Sequence, residues 1–198
     1  PPIDSSTGEV APAISMSTTF GRTPESEPIG DYFYTRYSNP NQVQLQKALA
    51  DLEGGAEALT FSSGMGAASA ILQSLSPGDH LLLSEDSYFG VRAAAFEYAS
   101  KWGVEIELVK MDDLELVSRQ IRSNTKMLWA ETPSNPLMRI TDIRRTADIA
   151  HSVGAQFVVD NTFATPILQR PIEHGADIVL HSASKYFGGH GDVLGGCL

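Results

Sequence analysis

Short apolar runs alternate with segments of helical periodicity along most of the chain. Strands are predicted at six runs, namely "EALTFSS", "DHLLLSED", "VEIELVKM", "TKMLWAET", "AQFVVDN" and "ADIVLHSA". Between them, apolar residues recur at helical spacing, as in "GMGAASAILQSL" and "TDIRRTADIAHSVG". Uninterrupted stretches such as "LLL" and "FVV" are typical of strands covered by helices on both faces. The pattern therefore predicts an α/β fold with a mainly parallel sheet flanked by helices.

The beginning of the chain lacks this periodicity. Residues 1–38 carry scattered Pro, Ser and Gly and predict an extended N-terminal arm. A first helix should follow, with Asn39 as its N-cap, Pro40 in the first helical position and Gly54 as its stop. Its apolar face would consist of Val43, Leu45, Ala48, Leu49 and Leu52. Residues 39–198 would then form one large domain, which we expect to be incomplete because "DVLGGCL" begins like a strand.

Charge and cysteine content exclude several classes of protein. The formal net charge is -10 at pH 7, which argues against a nucleic-acid or anionic-membrane surface. The one cysteine, Cys197, permits no internal disulfide, so a reducing, cytoplasmic setting is expected. The first residues do not resemble a signal peptide, and no apolar run approaches the ~20 residues that span a bilayer.

Polar residues follow the predicted strands. In parallel sheets, ligands bind at the carboxyl ends of the strands, which meet at one edge. Five groups fall at such ends: residues 62–64, 85–88, 132–135, 160–161 and 182–185. We therefore expect these side chains to surround one site.

The turn "SSGMG" has two functional interpretations besides a plain strand-to-helix turn. The backbone N–H groups of Gly64 and Met65 at a helix start could bind an anion. Alternatively, "GMGAAS" approaches the dinucleotide fingerprint G-x-G-x-x-G/A of a Rossmann-type nucleotide-binding module, with Glu85 and Asp86 about 20 residues on. Ser69 occupies the third glycine position of that fingerprint.

Two ionisable residues at strand ends have both a structural and a functional interpretation. Asp160 ends the apolar run "QFVVD" and could cap the next turn or pair with a cationic ring nitrogen. Lys185 could be a solvated loop lysine or a nucleophile toward an aldehyde. The hydroxyls of Ser182 and Ser184, on either side of Ala183, could bind a phosphate at the same edge.

Other parts of the chain add little independent chemistry. Tyr34 and Arg36 could pack on the surface, or Arg36 could offer a fork to a phosphate in another subunit. The five histidines show no metal-site spacing, so no metal is expected. Pyridoxal 5'-phosphate (PLP) requires four such groups together: an anion-binding turn, a carboxylate for its ring nitrogen, an aromatic ring (Tyr88) and a lysine.

The motifs "YTRYSNPN", "LEGG", "SSGMGA", "ETPSNP", "VVDNTFATPILQRP" and "GADIVLHSASKYFGGHGDV" resemble the Cys/Met-metabolism, or trans-sulfuration, family of PLP-dependent enzymes. The resemblance covers almost the whole chain. It implies the large domain of an aspartate-aminotransferase-like (fold type I) enzyme, preceded by an N-terminal arm, with the C-terminal domain outside this sequence.

The resemblance also implies a role for each motif residue. Lys185 would bind the cofactor covalently, Asp160 would hold the ring nitrogen protonated, and Tyr88 would stack on the ring. Asn135 would face the ring hydroxyl. The remaining positions would bind the phosphate: Gly64 and Met65 through backbone N–H groups, Ser182 and Ser184 through hydroxyls, and Tyr34 and Arg36 from a neighbouring subunit.

The implied activity is the making or breaking of C–S bonds by β- or γ-elimination or γ-replacement, with a sulfur-containing or O-acyl-homoserine amino acid as substrate. Cystathionine γ-synthase and cystathionine γ- or β-lyase are the expected reactions, with O-acetylhomoserine sulfhydrylase and methionine γ-lyase as alternatives. Methionine γ-lyases resemble one another in a cysteine two places after the stacking tyrosine, where this chain has Gly90. The resemblance implies a homotetramer built from active dimers.

Overall fold

The computed structural model describes residue 3 and residues 7–198 of the chain. Six α-helices lie in this part of the chain: α1 (Pro40–Glu53), α2 (Gly64–Leu72), α3 (Phe89–Glu97), α4 (Leu114–Gln120), α5 (Ile143–Ser152) and α6 (Thr165–Leu168). Seven strands lie in it: β1 (Thr60–Phe61), β2 (His80–Ser84), β3 (Glu105–Val109), β4 (Thr125–Glu131), β5 (Gln156–Asp160), β6 (Ile178–Leu180) and β7 (Gly196–Cys197). Short 3-10 helices occupy Ala99–Trp102 and Pro171–His174.

Five of the strands form one parallel sheet in the order β3-β2-β4-β5-β6. β1 and β7 form a separate antiparallel pair. An antiparallel bridge between His181 and Cys197 connects that pair to the end of β6. The prediction of an α/β fold with a mainly parallel sheet is confirmed.

Helices cover the central sheet on both faces. Leu81 and Leu83 of β2 pack with Ala68 and Ile71 of α2 and Ala95 of α3. On the other face, the intervening Leu82 belongs to the core formed with α4 and α5. Because successive side chains of a strand point to opposite faces, both cores need apolar residues, and the run "LLL" supplies them.

The first helix begins where the sequence predicts. The Asn39 side chain accepts a hydrogen bond from the Gln42 N–H at 2.9 Å, Pro40 opens the helix, and Gly54 ends it in the left-handed conformation with φ 73°. The predicted apolar face is only partly correct. Leu49 is buried, whereas Val43, Leu45, Ala48 and Leu52 are exposed.

The strand predicted at "EALTFSS" is shorter and paired differently than expected. β1 contains two residues and pairs only with β7, outside the five-stranded sheet. A dinucleotide-binding fold places the strand before its glycine-rich turn inside the parallel sheet. The topology therefore disfavours the Rossmann-type reading of "GMGAAS".

β7 crosses the start of α2 at very short range. A Cβ at Gly196 would lie 2.2 Å from the Ser63 carbonyl oxygen and 2.7 Å from the Gly64 nitrogen. Only glycine fits at this crossing, since backbone atoms cannot move aside as a flexible side chain could.

Residues 7–38 contain only isolated bridges, at Thr19–Tyr34 and Arg22–Pro28. The Asn41 side chain attaches this segment to α1. It accepts from the Ser15 N–H at 2.8 Å and donates to the Ala13 carbonyl at 2.7 Å. Residues 1, 2 and 4–6 of the predicted arm lie outside the described residues. Among the helices of the described chain, none is long and apolar enough to cross a membrane.

His80 is a fully buried histidine at the start of β2. Its ring is fully buried, Nδ1 lies 2.8 Å from the Thr125 hydroxyl, and Nε2 lies 3.5 Å from Glu107 Oε2. Burial lowers the pKa of His80 from its ordinary 6.5, and Arg122 acts in the same direction, against Glu107 and Glu105.

We expect the free energy of unfolding to fall as the pH drops below 6.5. The unfolded chain takes up a proton there that the folded chain binds only at lower pH. His80→Gln should have a shallower pH dependence between pH 7.5 and 5.5, by up to about 1.4 kcal/mol per pH unit. Urea denaturation measures this difference, with exposed His190→Gln as the control. Equal slopes for His80→Gln and the unmodified protein would contradict the assignment.

Candidate active site

Three neighbouring strands end side by side. Glu131 of β4 pairs with Asp160 of β5, and Asp160 pairs with Leu180 of β6. A cavity of about 310 Å³ opens at these ends. Its lining contains residues from every predicted group at the sheet edge: Ser63, Gly64, Met65, Tyr88, Asn135, Asp160, Ser182, Ser184 and Lys185. The topology thus brings together side chains that are far apart in sequence.

Asp160 provides a carboxylate on the floor of the cavity. Its Oδ1 accepts hydrogen bonds from the N–H and the hydroxyl of Thr162, at 3.0 and 2.5 Å. No hydrogen bond from the described residues reaches Oδ2. Burial raises the pKa of this carboxyl, and the two Thr162 contacts and His181 oppose the rise. A cationic N–H group placed at Oδ2 would offset the cost of burying the charge.

Glu131 is a second buried carboxyl that the motifs did not single out. Its Oε2 accepts the Tyr88 backbone N–H at 2.5 Å. Burial and the nearby Asp160 raise its pKa to about 8, against the effect of the Tyr88 and Asn135 N–H groups. The sequence signal was present, because "MLWAE" ends an apolar strand in a carboxylate as "QFVVD" does.

The start of α2 forms one end of the cavity. The Ser63 side chain caps the helix through the Gly66 N–H at 3.0 Å, and the Ser63 carbonyl accepts from the Ala67 N–H. Within the described chain, the N–H groups of Gly64 and Met65 have no partner. A Cβ at Gly64 would lie 2.8 Å from the Ser182 Cβ, so a bare backbone is needed there. Unpaired N–H groups at a helix start attract an anion.

The segment after β6 carries the predicted serines and the lysine. The Ser182 hydroxyl has no hydrogen-bond partner among the described residues, while its N–H donates to the Thr162 hydroxyl at 2.9 Å. The Ser184 hydroxyl is engaged by both backbone groups of Gly195, at 3.0 and 3.2 Å. Lys185 is exposed at the mouth of the cavity. Thr162, which contacts both Asp160 and Ser182, was not predicted from the sequence.

Tyr88 stands at the other side of the cavity mouth. It is partly exposed, and its ring packs so closely on Gly90 that a Cβ there would lie 2.6 Å from Cε1. Asp86 stabilises the loop that carries Tyr88: its carboxylate accepts hydrogen bonds from the hydroxyls of Ser84 and Ser134, at 2.6 and 2.5 Å. The loops after β2 and β4, which carry Tyr88 and Asn135, are therefore held together.

Tyr34 and Arg36 lie outside this cavity. The Arg36 guanidinium lies 4.9 Å from the centre of the Tyr34 ring, and it has no ion pair in the part of the chain that the structure describes. Their predicted contribution to a neighbouring subunit stays a prediction. Among the described residues, no group of three or more His, Cys, Asp or Glu is arranged to hold a metal ion.

The unused polar groups define what the cavity could bind. Asp160 Oδ2 offers an acceptor at the floor, and the Gly64 and Met65 N–H groups with the Ser182 hydroxyl offer donors at the start of α2. Lys185 and Tyr88 stand at the mouth. The arrangement fits a small planar molecule that carries a cationic ring nitrogen and a phosphate, with a carbonyl for the lysine.

Comparison with known proteins agrees with this chemistry. Residues 2–198 match the model of a family described as Cys/Met metabolism PLP-dependent enzyme. The chain is 44% identical over 193 residues to cystathionine beta-lyase MetC of Bacillus subtilis, covering 98% of this chain and 49% of that protein. It is 42% identical over 196 residues to the cystathionine gamma-synthase of Mycobacterium tuberculosis, covering 98% and 50%. The chain spans about half the length of the curated relatives it matches.

Solved structures give the same picture. The crystal structure of metB from Corynebacterium glutamicum matches with a TM-score of 0.95 at 43% identity, covering 98% of this chain and 51% of that one. The cystathionine gamma-lyase of Lactobacillus plantarum, solved in complex with L-serine, matches with a TM-score of 0.93 at 38% identity, covering 98% and 50%. These matches confirm the fold predicted from the sequence.

The raised pKa of Glu131 predicts an unusual response to Glu131→Gln. Between pH 4.5 and about 8 the folded protein holds a proton on Glu131 that the unfolded chain releases, so the stability of the cofactor-free protein falls as the pH rises through this range. An isosteric neutral amide removes this dependence. Relative to the unmodified protein, Glu131→Gln should become more stable from pH 5 to pH 8.

Urea denaturation without added cofactor tests this expectation, with Glu97→Gln as the exposed control on α3. A stability difference between Glu131→Gln and the unmodified protein that is constant from pH 5 to pH 8 would show that Glu131 is ionised throughout.

Proposed function

Because the chain belongs to the Cys/Met-metabolism family of PLP-dependent enzymes, we propose that the full-length protein makes or breaks C–S bonds of sulfur amino acids. The observation that carries this proposal is the single cavity in which Asp160 Oδ2 and the free N–H groups at the start of α2 lie with Lys185. The residues present fit the cofactor, since each of its polar groups has a counterpart.

The cofactor would be held by residues that the cavity already brings together. Asp160 would bind the ring nitrogen, Tyr88 would stack on the ring and Asn135 would face the ring hydroxyl. The phosphate would be bound by the groups at the start of α2 and after β6: Gly64, Met65, Ser182 and Ser184. Lys185 would form the covalent attachment. When bound, PLP supplies an electron-withdrawing ring that takes up the charge released at the substrate Cα.

Two residues would carry the proton chemistry of the chain itself. Asp160, as an anion, would hold the proton on the ring nitrogen, and its two Thr162 contacts favour that ionised form. The Lys185 amine would remove the proton from the substrate Cα, and Tyr88 would assist at the cavity mouth. A positioned proton donor or acceptor contributes about 10²–10⁴-fold to a rate.

We propose amino acids of sulfur metabolism as substrates. The relatives named above are a cystathionine beta-lyase, a gamma-synthase and a gamma-lyase, so elimination from cystathionine and replacement on an O-acyl-homoserine are the leading reactions. Sulfhydrylase and methionine γ-lyase reactions are the alternatives. At Gly90, any side chain would contact the Tyr88 ring, so the cysteine typical of methionine γ-lyases would require that ring to move.

We further propose that residues 1–38 form an arm that completes the site of a neighbouring subunit, in a tetramer of active dimers. The exposed Arg36 supports this, because its guanidinium has no acidic partner in the described chain and stacks on Tyr34 instead. An arginine so placed can offer a bidentate fork to a phosphate.

Lys185→Ala in the full-length protein should lose turnover and covalent cofactor attachment, because no other amine of the described residues lines the cavity. Borohydride reduction followed by peptide mass spectrometry detects the attachment on the peptide that contains residue 185. Lys126→Ala, an exposed change on β4, serves as the control. Cofactor mass retained on the Lys185→Ala protein would overturn the assignment.

The reaction is decided by offering three substrates to the full-length protein: cystathionine, O-acyl-homoserine with cysteine, and methionine. Lyases release ketoacid with a thiol or thiol amino acid, whereas a synthase forms cystathionine. We expect one of the cystathionine reactions to be at least about tenfold faster than methionine cleavage, a difference of the order that one mismatched contact gives. Preferred cleavage of methionine would contradict this expectation.

Mixed dimers test the arm. If Arg36 serves the neighbouring site, Arg36→Ala and Lys185→Ala proteins, each inactive, should regain about a quarter of normal activity when dissociated and reassociated together, since half the dimers are hybrids with one intact site. The same two changes in one chain should stay inactive after mixing with itself. No recovery in the mixture of single variants would place Arg36 in its own subunit's site or outside any site.

A further inference from the structure

A second polar layer lies directly beneath the cavity. Each strand that ends at the cavity is followed by a buried residue: Thr132 after β4, Asn161 after β5 and His181 after β6. None of the three lines the cavity, because side chains alternate in direction along a strand. Each of the three side chains therefore points to the opposite side of its strand from a neighbouring residue that lines the cavity.

The last residue of α1 joins two members of this layer. Glu53 Oε1 accepts hydrogen bonds from Asn161 Nδ2, at 2.9 Å, and from His181 Nε2. Because a carboxylate oxygen only accepts, Nε2 of His181 carries a hydrogen. Glu53 Oε2 is buried with no partner among the described residues, so these two contacts are all that compensates the burial of this carboxylate.

Gln169 extends the layer to the third strand end. Its Nε2 donates to Asn161 Oδ1 at 2.8 Å and to the Thr132 carbonyl at 2.9 Å, and its own carbonyl accepts from Asn161 Nδ2. Side chains thus connect the segments after β4, β5 and β6, in addition to backbone hydrogen bonds such as that from the Asn161 N–H to the Leu180 carbonyl. Within the described chain, Glu53 is the only charged residue bonded to this network.

We propose that Glu53 is a positioning residue for the cofactor, holding Asp160 and Ser182 in place through Asn161 and His181. The inference rests on the proposed function, because it concerns the same site. Asn161 directly follows Asp160, and His181 directly precedes Ser182. If the hydrogen bond from Glu53 to Asn161 or His181 is lost, the neighbouring Asp160 or Ser182 is no longer held in position.

The electrostatic surroundings support the proposal. Burial raises the pKa of Asp160, and His181 is one of the groups that opposes this rise. A histidine held at a fixed place beneath Asp160 favours the ionised carboxylate that a cationic ring nitrogen requires. The Glu53 hydrogen bond and the Phe187 ring, 4.3 Å from the His181 ring, keep the imidazole there.

The same helix also reaches the N-terminal arm. At its start, Asn39 caps α1 and Asn41 binds Ser15 and Ala13 of the preceding segment. At its end, Glu53 binds the layer beneath the cavity. One rigid element therefore connects the segment that contains Tyr34 and Arg36 with the support of the chain's own site.

Glu53→Leu in the full-length protein should weaken PLP binding about 10- to 100-fold, since it removes an acceptor that serves two buried donors. Glu53→Gln keeps one acceptor oxygen and should fall between this variant and the unmodified protein. Glu57→Leu removes an exposed carboxylate from the loop after α1 and should bind PLP within about twofold of the unmodified protein. Absorbance titration of cofactor-free protein measures the dissociation constant.

The circular dichroism of the bound cofactor separates positioning from mere stability. A positioning role predicts that the Glu53 variants, saturated with PLP well below their melting temperatures, show a changed cofactor band. A purely structural role predicts a lowered melting temperature with unchanged affinity and an unchanged band, which would overturn the proposal. If Glu53→Leu does not fold, Glu53→Gln and two substitutions at His181 test the proposal instead. His181→Gln keeps an N–H donor and should bind PLP more tightly than His181→Leu.

The two proposals fail in different ways. If the unmodified protein binds no PLP, or binds it without Lys185, the proposed function is wrong. If it binds PLP through Lys185 and the Glu53 and His181 variants bind equally well, the function stands and the positioning role is wrong.

Discussion

The register of three parallel strands is the constraint on which the site depends. β4, β5 and β6 are paired so that Glu131, Asp160 and Leu180 lie side by side at their ends. A shift of one residue in any strand would turn its last side chain to the opposite face. Both apolar cores oppose such a shift, because each strand presents buried residues to both faces. The packing of the sheet thereby places the ionisable groups.

Alternation at these strand ends also sorts the polar groups into two layers. Glu131 and Asp160 face the cavity, while Asn161 and His181 bind Glu53 beneath it. Three carboxyl groups are thus concentrated in a small buried region with one imidazole. Burial raises the pKa values of both Glu131 and Asp160, and repulsion from the Asp160 charge adds to the rise at Glu131. A cationic ring above Asp160 would relieve that repulsion.

Local sequence patterns were sufficient for the fold and for most of the cavity. Apolar runs located the strands, and the rule that ligands bind at carboxyl ends gathered Gly64, Asp160 and Lys185. The pairing of β1 with β7 could not be predicted, since it depends on a contact between distant segments. The Glu53–His181 hydrogen bond could not be predicted for the same reason, because the periodicity of α1 contains no information about which residue Glu53 contacts. Both required the tertiary structure.

The crossing of β7 over α2 makes the start of that helix depend on the end of the described chain. The Ser63–Gly64 peptide belongs to the start of α2, and Gly196 covers it from the other end of the described chain. A fragment that stops short of β7 would therefore leave this peptide uncovered, so the end of the cavity formed by α2 is complete only when nearly all of the described chain has folded.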